Sequence, residues 1–331
     1  MVSQSRPRAR FLSLFATLPI AVACALVVVY VGGLGGAVSG WRVGLAVVVA
    51  LGVVGLPLIA GLARGFAGVG VIALGSLGFW GAQAPSNERV WEEPSSRTAW
   101  AVVDGRQVTV HDVRDFRYQD DGTWVAGWYD ATYDLADIEQ SYLVLTRFGG
   151  VEGLAHVMVS FRFKGDRFIV LSVEIRREEG ESYDPIGGAL RQYELFYVAA
   201  DERDALALRT HVHKDDTWVI PMNAGTEKTG EFFMSMVERM TALHEAPEWY
   251  NSLTNSCSSN LADHYQSINE VSFPPDYRIL LPGFSDALLS ELDLLPEGVS
   301  VEQARALFRV NDVAAKLPVD DRYSVAIRGR E

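Results

Sequence analysis

Gly153-Leu-Ala-His-Val-Met-Val-Ser-Phe-Arg-Phe-Lys-Gly-Asp-Arg-Phe-Ile-Val-Leu-Ser-Val-Glu-Ile-Arg176 holds two apolar runs, Ala155–Phe163 and Arg167–Arg176, on either side of Lys164-Gly165-Asp166. Two such runs about a Gly-containing turn predict a β-hairpin. With the turn centred on Gly165, position 156 falls opposite position 174. Side chains directly opposed across two strands share one sheet face, with Cβ atoms about 5 Å apart. His156 and Glu174 are thus expected to meet. A carboxylate there would orient the imidazole and raise its basicity, the third-group role in a nucleophilic triad. The bland alternative is a solvated His–Glu pair on an exposed face.

Outward from this hairpin the pattern continues. Ala101–Val103 and Gln107–His111 flank Asp104-Gly105, a second hairpin signal, and Ser141–Phe148, Gln192–Ala199 and Asp216–Pro221 read as further strands. Thr226–Glu245 has helical spacing, with Phe232, Met236, Met240 and Leu243 on one stripe and an N-cap near Thr226. A helix from about Cys257 to Asn269 follows the turn-rich Asn251-Ser-Leu-Thr-Asn255, and two short helices lie near Ser285–Leu292 and Val301–Phe308. Residues 99–331 read as one α+β domain of about 235 residues, within the usual single-domain range.

Cys257 is the only cysteine of that domain. Asn255 and Ser256 are good helix caps, which puts Cys257 at a helix N-terminus. The free N–H groups and positive dipole end there stabilise a thiolate, and the same N–H groups can hold an oxyanion. Burial as a small apolar residue is the competing reading. Asn255 and Ser258 are the candidate oxyanion or supporting residues; Asn251 and Asn260 read as caps. His264 lies seven residues along the helix from Cys257, about 10 Å away at 1.5 Å per residue, too far to take its proton. His244 reads as a surface residue and His111 as the end of an edge hairpin. His211 and His213 form a His-x-His pair expected on one strand face, without an evident third ligand, so no metal site is assigned. Arg176-Arg177-Glu178-Glu179-Gly180-Glu181 reads as a solvated loop, or else as a rim meeting lipid headgroups.

The amino-terminal quarter is of another kind. Residues 1–87 hold five basic side chains (Arg6, Arg8, Arg10, Arg42, Arg64) and no acidic one, leaving 24 basic and 42 acidic residues in the rest. Apolar stretches run from about Phe11 to Val31, Val43 to Leu62 and Phe66 to Trp80. A spanning helix needs roughly 20 apolar residues, so residues 1–83 are expected to form a transmembrane segment of three helices, with 84–98 as a polar linker. Arginines before the first stretch place the N-terminus inside and the domain outside; Arg42 dissents. Cleavage as a signal peptide before Cys24 is the competing reading of the first stretch. If the third stretch did not cross, the domain would be cytoplasmic. The acidic balance argues against nucleic acid as a partner, and two cysteines exclude a disulfide framework.

Several segments resemble one family, the Lnb N-terminal periplasmic domain, formerly a domain of unknown function. They are Trp128-Tyr-Asp-Ala-Thr-Tyr-Asp-Leu135, Ala155-His-Val-Met-Val-Ser-Phe161, Ser172-Val-Glu-Ile-Arg-Arg-Glu-Glu-Gly-Glu-Ser-Tyr183, Arg191-Gln-Tyr-Glu-Leu195, Trp249-Tyr-Asn-Ser-Leu-Thr-Asn-Ser-Cys-Ser-Ser-Asn260 and Tyr277-Arg-Ile-Leu-Leu-Pro-Gly-Phe-Ser-Asp286. The family looks like a circularly permuted relative of the papain-like NlpC/P60 and lecithin–retinol acyltransferase proteins. The resemblance therefore implies an α+β, permuted papain-like domain with an antiparallel sheet after the three transmembrane helices. In such proteins a strand histidine and a polar partner on the next strand precede a nucleophilic cysteine on a helix, the order of His156, Glu174 and Cys257. The implied activity is N-acylation of lipoproteins, from phospholipid to an α-amine. Where the family has Asn-Cys-Thr-Thr this chain has Ser256-Cys257-Ser258-Ser259, and here the membrane helices precede the domain.

The expected protein is a membrane-anchored, cysteine-dependent acyltransferase without a cofactor, working through a thioester on Cys257. Its partners are a phospholipid or lipoprotein substrate and the bilayer. It is expected in a bacterial inner membrane with the domain in the periplasm. The alternatives are a cysteine amidase or peptidase acting on cell-wall peptides, and a non-catalytic envelope scaffold.

Overall fold

The computed structural model describes residues 5–30, 39–119 and 121–329. It divides into two compact units, residues 1–92 with 177–194 and 249–251, and the remainder.

The first unit is built on three helices, α1 (Ser5–Tyr30), α2 (Gly40–Ile59) and α3 (Leu62–Gly81), each long and apolar enough to cross a membrane. Ala21, Val53 and Val69 pack together between them. Close approach of α2 and α3 depends on Gly65, where a Cβ would stand 2.2 Å from the Pro57 Cα; small residues let helix backbones touch where lipid gives no hydrophobic drive. The 177–194 segment completes the unit. Trp80 Nε1 donates to Leu190 O at 3.1 Å, and the Arg191 guanidinium lies 3.9 Å over the Trp80 ring. Arg42 is buried in α2 and interacts with the carboxylates of Glu181 and Glu178.

This segment corrects the sequence reading of a solvated loop. Glu178 and Glu181 are buried, and Glu178 forms a bridge with Trp91. Arg89 lies between Glu178 Oε1 at 3.2 Å and Glu194 Oε1 at 2.7 Å. Burial pushes Glu194 up to about 7 against the opposing pull of Arg89. Arg176, in the second unit, is also buried, donating to the carbonyls of Ser95 and Ser96. Carboxylates are buried only when paired, and the pairing here is tertiary.

The second unit is a mixed α+β domain. Its main strands are β1 (Trp100–Asp104), β2 (Gln107–Arg114), β3 (Trp128–Asp134), β4 (Ile138–Arg147), β5 (Ala155–Phe163), β6 (Arg167–Arg176), β7 (Glu194–Ala200) and β8 (Asp216–Pro221). They run in the order β1-β2-β7-β6-β5-β4-β8, mostly antiparallel, with β3 also paired to β2. β5 and β6 form the hairpin read from the sequence, in the register Met158↔Ser172 through Phe163↔Arg167. Extending that register puts His156 opposite Glu174.

Strand alternation divides the core. One face carries Tyr142, Val144, Met158, Val170 and Val198 against Leu206, Val310 and Tyr323. The other carries Phe161 and Phe163 against helix α4 (Gly225–Glu245), whose Phe233 ring centroid lies 5.1 and 5.4 Å from theirs. Phe233, rather than Phe232, is the fully buried member of the helical stripe. Helix α5 (Cys257–Asn269) packs beside α4, and α6 (Ser285–Glu291) and α7 (Val301–Leu307) follow.

Candidate active site

α5 begins where its caps dictate. Ser256 accepts from the Ser259 N–H, and Ser259 Oγ accepts from the Ser256 N–H at 2.8 Å, a reciprocal capping box. Cys257 is the first residue after the cap, so its sulfur meets the N-terminal end of a 13-residue helix.

The β5–β6 ladder stops at Met158↔Ser172, on the side of the hairpin away from its turn. In this unladdered end the Val157 N–H hydrogen-bonds the Cys257 sulfur, and the thiol is also hydrogen-bonded to the His156 imidazole. His156 Nε2 is committed elsewhere: it lies 2.7 Å from Ser172 Oγ and 3.0 Å from Glu174 Oε1. Ser172 Oγ in turn donates to Glu174 Oε1 at 2.8 Å. The ring nitrogen that remains for Cys257 is therefore Nδ1. Arg209 Nη2, 3.3 Å from the same Glu174 oxygen, adds a second cation. His156 and Cys257 are each 8% exposed, whereas the Glu174 side chain is 26% exposed. The pair is thus shielded while its carboxylate keeps an edge toward solvent.

The electrostatics favour a charge-separated pair. Burial is the largest single influence on His156 and pulls it down, but the charge and hydrogen bond of Glu174, with the hydrogen bond to Cys257, together prevail, and the imidazole is raised to about 9. Burial raises the thiol, but the His156 hydrogen bond and charge prevail with the help of the Val157 N–H, and Cys257 titrates below its ordinary value. Burial likewise acts against the charged form of Glu174, yet His156 and Arg209 hold its carboxyl well below the usual range. Both shifts act toward a thiolate beside an imidazolium, the state in which a cysteine is nucleophilic.

The three residues singled out in the sequence, Cys257, His156 and Glu174, thus meet. Asn255 and Ser258 flank them with other attachments. Asn255 Oδ1 accepts from Asn260 at 2.9 Å and its amide faces Glu248, while Ser258 Oγ donates to Ile279 O at 2.5 Å. Ser172, Arg209 and the Val157 N–H were not foreseen. Ser172 was readable, two positions before Glu174 on the same strand face; Arg209 carries no local signal.

The other histidines lie apart. His264 is buried between Tyr197 OH and Ser235 Oγ, each at 2.7 Å, and burial pushes it down to about 4, a neutral core histidine. His244 is half-buried instead of at the surface, its Nδ1 2.7 Å from Thr98 Oγ1 and its ring stacked on Trp100. His111 bonds Asp130 at 2.8 Å. His211 and His213 are not on a strand: they fall in the π-helical turn Leu208–Val212 and at its C-cap, continuing the Glu202–Ala207 helix.

Three helices of membrane-spanning length precede an antiparallel α+β domain with a buried thiol–imidazole–carboxylate cluster, the layout of a membrane-associated protein. Residues 124–283 match the Lnb N-terminal periplasmic domain. That span contains His156, Glu174 and Cys257, and the resemblance carried by the sequence motifs is thereby met. No curated protein and no solved structure matches the chain. The three apolar helices anchor this periplasmic domain to a membrane.

Proposed function

We propose that this protein is a cysteine-dependent acyltransferase of the bacterial inner membrane, its N-terminus cytoplasmic. Its site then acts as a thiol site of the papain-like kind. The observation that carries this reading is the hydrogen-bonded chain Cys257–His156–Ser172/Glu174, with the sulfur at a helix N-terminus and bonded by the Val157 N–H. The Cys257 thiolate attacks the carbonyl carbon of a phospholipid ester. Backbone N–H groups at the start of α5 hold the oxyanion. His156 gives its proton to the departing glycerol oxygen as the carbon–oxygen bond breaks, leaving a thioester and a lysophospholipid. A neutral amine, such as the α-amine of a lipoprotein, then attacks; His156 takes its proton, and the thiolate is released as the amide forms. Membrane anchoring suits both substrates, since it confines the domain to the surface that holds them.

The test is to supply the purified full-length protein with vesicles of acyl-labelled phospholipid and search the Cys257 peptide for the mass of an acyl thioester. Label on Cys257, discharged by an amine, supports transfer. Modification of Cys257 by peptide substrates alone would favour a cell-wall amidase. A thiol that no substrate or alkylating reagent modifies in the folded protein would indicate a scaffold.

A further inference from the structure

Behind the thiol, β4, β5, α4, α5 and the 279–294 segment enclose a cavity of about 280 Å³. Its walls are mostly apolar: Leu143 and Val159 from the sheet, Phe232 from α4, Leu261 from α5 and Leu288 and Leu289 from α6. Resting on the transfer reading above, we propose that this cavity receives the fatty acyl chain of the Cys257 thioester.

Position is the first argument. Ser258, the residue after the nucleophile, lines the cavity. Val157 joins the two sites directly, because its N–H bonds the sulfur and its side chain is part of the wall. A chain attached to that sulfur thus starts beside residues that line the cavity.

Chemistry is the second. The two cations that border the cavity are engaged. Lys228 holds Glu231 and the Ile268 carbonyl, both at 2.7 Å, and Arg278 holds Asp276 and Glu291. Ser141 pairs with Thr229, and Ser258 with Ile279 O. The wall thus suits a neutral hydrocarbon better than a carboxylate or a peptide. Size agrees: a cavity of about 150 Å³ lined by aliphatic groups takes benzene, six carbons, so this one accommodates roughly eleven.

The third is access. Val151, Leu154, Tyr277, Leu280 and Leu281 are exposed apolar side chains on segments next to the cavity-lining Ile279. The two segments are joined by the Gly283 N–H to Gly153 O bond at 3.1 Å and by Leu281 against Gly153. Such exposed side chains are a means of drawing a chain out of a lipid phase.

The experiment measures, on the Cys257 peptide of the full-length protein in detergent, the rates of disulfide formation with methyl and decyl methanethiosulfonate. In each the thiolate attacks the sulfenyl sulfur and methanesulfinate leaves. The decyl-to-methyl rate ratio should exceed that of a small cysteine amide in the same micelles at least tenfold. Leu261→Trp and, separately, Leu289→Trp should bring it back toward that reference, while Leu289→Met retains it; a thermal melt identifies any variant that does not fold. A ratio equal to the reference, a ratio unmoved by both tryptophans, or a thiol that neither reagent reaches would each overturn the proposal. An intact ratio without any phospholipid-derived thioester would remove the transfer reading and leave the cavity; a thioester formed without chain preference would do the reverse.

Discussion

His156 Nε2 and Glu174 Oε1 stand 3.0 Å apart across the unladdered end of a hairpin, with the Ser172 hydroxyl bonded to both. This contact sets the charge of the whole site. Glu174→Gln keeps the shape and removes the charge, so the imidazole falls back toward its ordinary value and the thiol loses its cation. Alkylation of Cys257 by iodoacetamide at pH 7 should slow, by about tenfold for each pKa unit by which the thiol rises above the pH of the assay. Ser172→Ala should slow it less, because the direct contact survives. Equal rates in wild type and Glu174→Gln would remove the carboxylate from the account.

His156→Ala should move the pH profile of alkylation to the alkaline side, since it deletes the partner that lowers the thiol most effectively. The rate above pH 9 should approach that of wild type. A profile that does not move means that the helix end and the Val157 N–H alone hold the thiolate.

The proton inventory of the pair predicts an unusual pH–stability curve. A raised imidazole contributes stability that is present below about 6.5 and lost as pH rises through about 9. A lowered thiol contributes stability that is present above its unfolded value of about 8.5 and lost as pH falls. Between those limits the two slopes oppose each other, the thiol offsetting the histidine wherever the folded thiol is ionised. Thermal unfolding in detergent should therefore depend on pH between about 6.5 and 8.5 less steeply than the histidine alone would make it. Cys257→Ser leaves only the histidine slope, so its melting temperature should fall relative to wild type over that interval. Parallel curves for the two proteins would refute that offset.

Phe233 is the anchor of the face that carries α4. It is fully buried and touches Phe161, Phe163 and Tyr133. Phe233→Ala should cost about 3–5 kcal/mol, read as a lower midpoint in denaturant, whereas Phe232→Ala, half-buried at the cavity, should cost less. Comparable losses would mean that the stripe is loosely packed.

Much of this was legible locally. The β5–β6 hairpin and its register follow from a period of two about Gly165, and the cap Ser256 fixes where α5 starts. β3 was not foreseen, because Asp130 and Asp134 in Trp128–Asp134 weaken its strand pattern and its pairing to β2 passes a bulge between Val110 and Val113. The acidic run after Arg176 looked solvated because nothing nearby in sequence neutralises it; Arg89, which pairs with Glu178, lies some ninety residues away. Arg209 escaped for the same reason. Local pattern yields elements and registers, and long-range charge pairing has no period to read.

The bond to the sulfur comes from the peptide of Val157, not from its side chain. Substitution at this position can therefore recontour the hydrocarbon wall while leaving the anion's amide donor in place, and only proline would abolish that donor. Chain-length selectivity and nucleophile strength are in this way uncoupled at a single codon, so a lineage could retune one without retuning the other.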